Sequence, residues 1–188
     1  LEKPKIASIN IHASVLPKYR GASPLQESLL NGDKETGISL IKMDEKMDHG
    51  EIYSKEEILI EKEDNLTTLS EKIALKSAEN ICPTLKEIFG ENLIPVAQNH
   101  SEAQYCHQIK KEDGKIEWQK DSGEKIHNMI RAYGPWPSVY TEFSGKKIKI
   151  LKADFEINQP SNPPGTFFID NGVFKISTIN GYLLPKEV

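Results

Sequence analysis

Cysteines, aromatic side chains and long apolar segments are all scarce in this sequence. The two cysteines, Cys82 and Cys106, form no Cys-x-x-Cys pair, so a disulfide framework is excluded and inert thiols in a reducing compartment are favoured. No apolar run approaches the ~20 residues that a membrane span requires, and no signal peptide is visible. We therefore expect no membrane partner and a cytoplasmic location, in a bacterial cytosol or an organelle matrix.

An excess of charge of either sign is also missing. The formal net charge is -4, so no global field attracts a polyanion, and any contact with nucleic acid needs a local patch. With 188 residues, of which 37% are hydrophobic and 28% charged, the chain is long enough for one large or two small soluble domains. It starts without Met almost at a strand, and we expect it to lack the first part of a domain, to stop within a barrel and to be inactive alone.

Three apolar segments in the first half predict strands. Ile6, Ile9 and Ile11 indicate a buried strand of a parallel sheet, which ends at polar residues. A second buried strand is predicted over 36–43. A third, over 51–60, is less apolar and is expected near an edge of the sheet.

Helix signals separate these strands and follow them. Ser23 and Pro24 are typical of a helix start, and Asn31-Gly32 of its end. A long helix is predicted to open at Asn65 and to break or kink at Pro83, before ending at Gly90. Mixed strands and helices favour an α/β fold for this half.

The second half has a different pattern. Periodicity is lost over 92–106, which we interpret as a linker. A short helix is predicted after Asp121-Ser122, and five short strands follow with tight turns between them, a pattern typical of a small antiparallel barrel. The predicted strands cover 138–143, 146–153, 166–169, 173–177 and 182–184.

Three polar residues stand where predicted strands end. Asn10 and His12 are two residues apart, and so lie on one face of the first strand, while Asp48 follows the second. An amide donates hydrogen bonds at any pH, an imidazole moves a proton near neutrality, and a carboxylate orients the imidazole. Together they suit acyl transfer to an amine. Taken singly, each is better explained as structural, and a metal site of His12, Asp48 and His49 lacks the usual ligand spacing.

The motifs around these residues resemble the folate-dependent formyltransferase family. The second half is similar to the branch of that family that acts on initiator methionyl-tRNA. The matching positions are Asn10-x-His12-x-Ser14-Val15-Leu16-Pro17-Lys18-Tyr19-Arg20-Gly21, Pro24-x-Gln26, Asn31-Gly32-Asp33, Met43-Asp44-x4-Asp48-x-Gly50, Lys111-Glu112-Asp113-Gly114-Lys115-Ile116-x-Trp118, Ile126-His127-Asn128-x-Ile130-Arg131-Ala132 and Pro135-Trp136-Pro137.

The resemblance implies a fold and an organisation in domains. It implies the C-terminal part of a Rossmann-like formyltransferase domain over 1–91, a linker over 92–106 and an OB-like β-barrel domain over 107–188. The implied enzyme is a monomer that transfers a formyl group from 10-formyltetrahydrofolate to the amino group of initiator methionyl-tRNA.

The resemblance also assigns residues to roles. Asn10, His12 and Asp48 match the family's catalytic trio. The folate site matches Ser14, Val15, Leu16 and Pro17. No metal is implied.

Some positions depart from the pattern, and other functions stay open. Ala13, Lys46 and His49 differ from the usual residues, which leaves the shape of the loop before Asp48 open. The alternatives are a nucleotide-sugar amine formyltransferase, a formyltetrahydrofolate hydrolase-type domain and an inactive RNA-binding remnant.

Basic residues of the chain have two interpretations each. Lys18 and Arg20 either meet a substrate anion or are solvated. The lysines of the second half either form a solvated face or contact phosphates of tRNA, in about equal balance.

Overall fold

The computed structural model describes residue 4 and residues 7–188; Ile6 of the first predicted strand lies outside the described residues. Contacts divide the chain into two compact units. The first comprises 1–28 and 33–108, and the second comprises 29–32 and 109–188.

The first unit is built on an antiparallel sheet. Its strands are β1 (Ile9–His12), β3 (Glu35–Lys42) and β4 (Ile52–Leu59), in the order β1-β3-β4. A separate pair joins β2 (Arg20–Gly21) to β5 (Tyr105–Cys106) in parallel. The prediction of a parallel sheet is therefore wrong for the described pairing of β1, whose neighbour β3 runs antiparallel to it.

Burial distinguishes the three strands of this sheet. The six residues Thr36–Ile41 of β3 are all buried, because β3 is the central strand. Burial alternates along most of β4, which lies at an edge as predicted. The strand β1 is less buried than expected, with Ile11 36% exposed.

Two α-helices begin at the predicted positions. The helix α1 spans Pro24–Leu30, and α2 spans Leu66–Phe89. Asn65 caps α2 by accepting from the backbone N–H groups of Thr67 and Thr68. No helix in the described part of the chain combines the length and the apolar character needed to cross a bilayer.

The predicted break at Pro83 is wrong, since α2 runs through it without interruption. Proline has no N–H to donate to the carbonyl of Glu79. Both residues are exposed, so that carbonyl lies on the solvent side of the helix. The loss of one hydrogen bond there is tolerated.

The second unit combines one helix with two antiparallel sheets. The helix α3 spans Gly123–Tyr133. The strands are β6 (Val139–Phe143), β7 (Lys146–Ile150), β8 (Lys152–Ile157), β9 (Phe167–Asp170), β10 (Val173–Thr178) and β11 (Gly181–Glu187). One sheet has the order β8-β11-β10-β9, and β6 pairs with β7. The segment predicted as one strand over 146–153 is thus divided between two strands.

The core of the second unit is apolar and lies between α3 and the strands. Ile126 of α3 is fully buried, as is Leu183 of β11. Hairpins with two-residue turns hold the strands in register, and at Asn171-Gly172 both residues have positive φ, 49° and 78°. The pairings among the described residues do not close into a barrel.

Candidate active site

The end of β1 presents two of the predicted residues on one face. Asn10 lies opposite Ile41 of β3, and His12 lies opposite Ser39. His12 is only 6% exposed, while Asn10 is half-buried. An imidazole at this depth requires polar partners, because an unpaired buried polar group destabilises the fold.

Those partners are a carboxylate and a backbone carbonyl. The Nδ1 atom of His12 lies 3.5 Å from Oδ1 of Asp48. The Nε2 atom lies 2.8 Å from the carbonyl oxygen of Tyr19, to which it donates. Both ring nitrogens thus face acceptor oxygens. The fold brings together two residues that are 36 positions apart in the sequence.

The carboxylate of Asp48 has a second partner in a backbone N–H. The amide of Gly21 donates to its Oδ2 over 2.9 Å. Gly21 has φ +124°, and a Cβ at this position would lie 2.2 Å from the carbonyl oxygen of Cys106. Only glycine therefore allows β2 to approach β5 while directing its amide at Asp48.

The predicted folate-binding segment divides into inward and accessible residues. Ser14 is buried and donates to the carbonyl of Lys18, while the amide of buried Leu16 donates to the hydroxyl of Ser39 over 2.9 Å. Ser39 in turn donates to the carbonyl of Ser14 over 2.7 Å. Val15 and Pro17 are half-buried and remain available to a ligand.

Pro17 also borders a cleft in the first unit. Its volume is about 330 Å³. Residues of β4 and of the segment after α2 form the other walls, including Tyr53, Lys55, Val96 and Gln98. The accessible side of the predicted folate loop thus faces an open space.

Arg20 is not the solvated loop residue that one interpretation expected, whereas Lys18 is paired but stays 44% exposed. Lys18 forms an ion pair with Asp33 at 2.8 Å. Burial opposes the charged amine, but the hydrogen bond and the charge of Asp33 raise the pKa of Lys18 above its ordinary value. Arg20 is 1% exposed and donates to Gln98 through Nε and Nη2, at 3.1 and 2.5 Å.

His100 completes the surroundings of Arg20. Its Nδ1 lies 2.9 Å from Nη2 of the guanidinium. Loss of hydration beside its neighbours lowers the pKa of His100, and electrostatic interaction with His49 and Arg20 lowers it further. A neutral His100 accepts the hydrogen bond of Arg20.

Sequence reasoning did not find Gln98 and His100. The motif around Arg20 singled it out, but nothing in the local sequence marks its partners, 78 and 80 positions away. They lie in the segment interpreted as a linker, where periodicity is absent. A glutamine in such a segment has no distinguishing pattern.

The metal interpretation of His12, Asp48 and His49 finds no support in the geometry. His49 instead pairs with Asp44, Nδ1 to Oδ2 at 2.6 Å, and stacks on His100 with ring centroids 3.9 Å apart. The hydrogen bond from His49 lowers the pKa of the Asp44 carboxyl below its ordinary value. Within the described ranges, no group of three metal-binding side chains gathers.

Comparison with known families gives matches in both halves of the chain. A family model described as "Formyl transferase" matches residues 1–85. A second, described as "Formyl transferase, C-terminal domain", matches residues 108–188. Together the two models match the whole chain except the segment 86–107.

Similar sequences include two named "Methionyl-tRNA formyltransferase". The one from Listeria innocua is 39% identical over 188 residues, which is 100% of this chain and 60% of the relative. The one from Caldanaerobacter subterraneus is 43% identical over 166 residues, 88% of this chain and 53% of the relative. The chain thus spans about 60% or less of the length of these relatives.

Similar solved structures share the fold at low sequence identity. An N-formyltransferase from Helicobacter canadensis, in complex with folinic acid and dTDP-3-aminofucose, has a TM-score of 0.74 and 24% identity, covering 94% of this chain and 65% of that one. HypX from Aquifex aeolicus, in complex with tetrahydrofolic acid, has a TM-score of 0.71 and 16% identity, covering 95% and 31%.

Proposed function

The chain belongs to the formyl transferase family, and from this premise we propose that it forms part of an enzyme that formylates initiator methionyl-tRNA. The formyl donor in this proposal is 10-formyltetrahydrofolate. One observation carries the proposal: the carboxylate of Asp48 lies 3.5 Å from the imidazole of His12, at the strand end that also bears Asn10. The names of the similar sequences support the choice of acceptor.

In the proposed reaction, the methionyl amine attacks the formyl carbon, and the bond between that carbon and the donor nitrogen breaks. The side-chain amide of Asn10 donates to the oxygen on which negative charge develops. One such donor contributes about 10²–10³ in rate. Asp48 and the Tyr19 carbonyl orient the ring of His12, and Asp48 accepts the proton that leaves the amine and passes it toward the donor nitrogen.

The role of His12 is constrained by its present hydrogen bonds. Nε2 already donates to the Tyr19 carbonyl at 2.8 Å, and Nδ1 faces Asp48. Donation from His12 to the developing oxyanion therefore requires exchange of the Tyr19 bond. Until that exchange, Asn10 is the primary donor.

The donor site in this proposal uses Ser14, Val15, Leu16 and Pro17 in two ways. The inward Ser14 and Leu16 fix the loop by bonding to Lys18 and Ser39. The half-buried Val15 and Pro17 present apolar surface to the pteridine or its chain. Apolar walls with few polar groups suit such a planar ligand.

We further propose the domain organisation that the resemblance implies. A Rossmann-like domain occupies 1–91 and an OB-like domain 107–188, with 92–106 between them. Parts of this middle segment bond to other segments of the first unit, since Gln98 contacts Arg20, and Tyr105–Cys106 pair with β2. Because it is packed in this way, we call the segment 92–106 the strap. We expect a monomer in the cytosol.

We assign contacts with the phosphates of the tRNA to one strand of the second unit. Lys147 and Lys149 of β7 are exposed and share a face of the strand. Lys120 and Lys125 instead pair with Glu117 and Asp121, at 2.5 and 2.7 Å. Lys147 lies opposite Glu142 in the pairing of β6 with β7, and its ammonium group lies 3.3 Å from the centroid of the Tyr140 ring. Among the ion pairs of the described residues, none involves Lys147 or Lys149, so their charges are better placed to neutralise phosphate.

Transfer assays on the complete gene product that carries this chain test the proposal. Purified protein is incubated with 10-formyltetrahydrofolate and either initiator methionyl-tRNA or a dTDP-amino sugar. Formylation of the tRNA alone is expected. Formylation of the sugar alone would replace this function with the sugar-amine alternative. Binding of tRNA without transfer to either would identify an inactive remnant.

A further inference from the structure

We propose that Gln98, held by Arg20, is a positioning residue that sets the conformation of the loop bearing Asp48. The inference deepens the proposed function, because it rests on Asp48 acting in formyl transfer. Its basis is a chain of buried hydrogen bonds that links three segments of the first unit. These segments are β2, the loop after β3 and the strap 92–106.

Arg20 is a buried charged residue with uncharged hydrogen-bond partners. Its guanidinium is 1% exposed, and the side chains to which it bonds are uncharged: Gln98, His100 and Tyr105. Burying a charge without an opposite charge nearby is expensive. A fold that needed only apolar packing at this position would not retain an arginine, so the guanidinium serves to hold its neutral partners.

The side-chain amide of Gln98 uses all of its hydrogen-bonding capacity. Its Oε1 accepts two N–H groups of Arg20, and its Nε2 donates to the carbonyls of Asp48 and Gly50, at 2.9 and 2.7 Å. The side chain is 7% exposed. Because the guanidinium offers only donors, it fixes the amide with its NH₂ group toward the loop.

The two bonds donated by Gln98 hold the backbone of the turn at Asp48. Asp48 has φ +49°, a conformation that costs a non-glycine residue free energy unless the surroundings enforce it. Gln98 bonds on both sides of His49 and so keeps Asp48 and Gly50 in this turn. With the backbone held there, the carboxylate meets Gly21 and His12.

The test replaces the amide by groups of similar size. Gln98→Glu keeps the acceptors for Arg20 but removes both donors to the loop, and Gln98→Met removes donors and acceptors without adding a charge. Gln108→Glu, at an exposed position of the first unit, is the matched control. All are made in the complete gene product, and kcat, KM and hydrogen exchange of the Gly21 amide are measured.

We expect kcat per folded molecule to fall about 10–100-fold in both Gln98 variants, with KM for both substrates within about twofold. The Gly21 amide should exchange faster, because its acceptor on Asp48 has moved. The Gln108 control should match the wild type. If either Gln98 variant loses its fold, the other provides the measurement.

Other outcomes separate the two proposals. A lower unfolding temperature with unchanged kcat and unchanged Gly21 exchange would mean a purely structural role and overturn the inference. A wild-type protein that transfers no formyl group overturns the proposed function instead. In that case, the Gly21 exchange alone decides whether Gln98 positions the loop.

Discussion

Both units bury polar side chains, but the two units differ in how far along the sequence the partners of these side chains lie. In the first unit, the contacts around Asp48 join residues separated by 27, 50 and 78 positions. In the second, buried Asp121 accepts from the amide of Glu117 and pairs with Lys125, each four positions away. Burial of a polar group is therefore no mark of function by itself. Convergence from distant segments is the informative feature.

The first unit also contains a buried carboxylate of the local kind. Asp64, before α2, accepts from the amide of Glu61 and pairs with Lys72 at 2.6 Å. It holds the turn just before the N-cap of a helix, as Asp121 does in the second unit. The contrast between Asp48 and Asp64 thus separates a proposed catalytic carboxylate from a structural one within one unit.

The largest effect is expected from Asp48→Asn. Loss of the carboxylate removes the partner of His12 and the proton acceptor, and kcat for formyl transfer should fall about 10²–10⁴-fold. Glu45→Gln, an exposed change in the same loop, should leave kcat nearly unchanged. Steady-state kinetics of the complete gene product measure both. Equal kcat in wild type and Asp48→Asn would remove Asp48 from the mechanism.

In the second unit, the largest effect should come from the apolar core. Leu183 is fully buried, so Leu183→Ala should lower the free energy of unfolding by about 2–5 kcal/mol. Leu151, 43% exposed, offers a control in which the same change has a small effect. Denaturant titration followed by circular dichroism gives both values. A small loss at Leu183 would indicate that the core is loosely packed.

A smaller effect, dependent on pH, is expected from Asp64. Burial alone would raise the pKa of this carboxyl, but hydrogen bonds from Lys72, the Glu61 amide and Thr68 bring it below its ordinary value. Its charged form therefore stabilises the fold above the unfolded-state pKa of about 4, and this stability is lost as the pH falls through the folded-state pKa.

Asp64→Asn should thus lower the free energy of unfolding at pH 7 by about 1–3 kcal/mol, and make little difference in strong acid. Formyl transfer by the folded variant should stay at the wild-type level. Denaturant titrations across the acid range provide the measurement, with the exposed Glu63→Gln as control. A difference that persists unchanged below pH 3 would contradict the ionic explanation.

The smallest effect is expected from the basic face of β7. Each of Lys147→Ala and Lys149→Ala should weaken tRNA binding modestly and reduce the logarithmic salt dependence by about 1. Lys120→Ala, which removes a lysine already paired with Glu117, should change the slope less. Filter binding at several salt concentrations tests this. Equal slopes in all variants would exclude β7 from the RNA contact.

Prediction from sequence worked best where the signal is local. The caps at Ser122 and Asn65 and the turn at Asn171-Gly172 each depend on a few neighbouring residues, and the structure confirms them. Pro83 was misjudged because the cost of a proline depends on whether the unpaired carbonyl meets solvent. That exposure is a property of the folded surface.

The predicted site shows the same division. Spacing alone put Asn10 and His12 on one face, and the strand β1 bears them there. The predicted direction of the neighbouring strand β3 was wrong, because an apolar run does not distinguish parallel from antiparallel pairing. Arg20 was interpreted as a solvated or substrate-binding residue, because nothing near it in the sequence indicates that it donates to Gln98.

The sequence by itself determined the helix caps, the tight turns and the polar ends of the strands, since each arises from residues within a few positions of one another. Only the tertiary structure decided that Asp48 meets His12 and that Arg20 lies buried against Gln98. The physical reason is that polar contacts across 36 or 78 positions depend on how the strands and the strap pack, and packing at that distance has no local pattern.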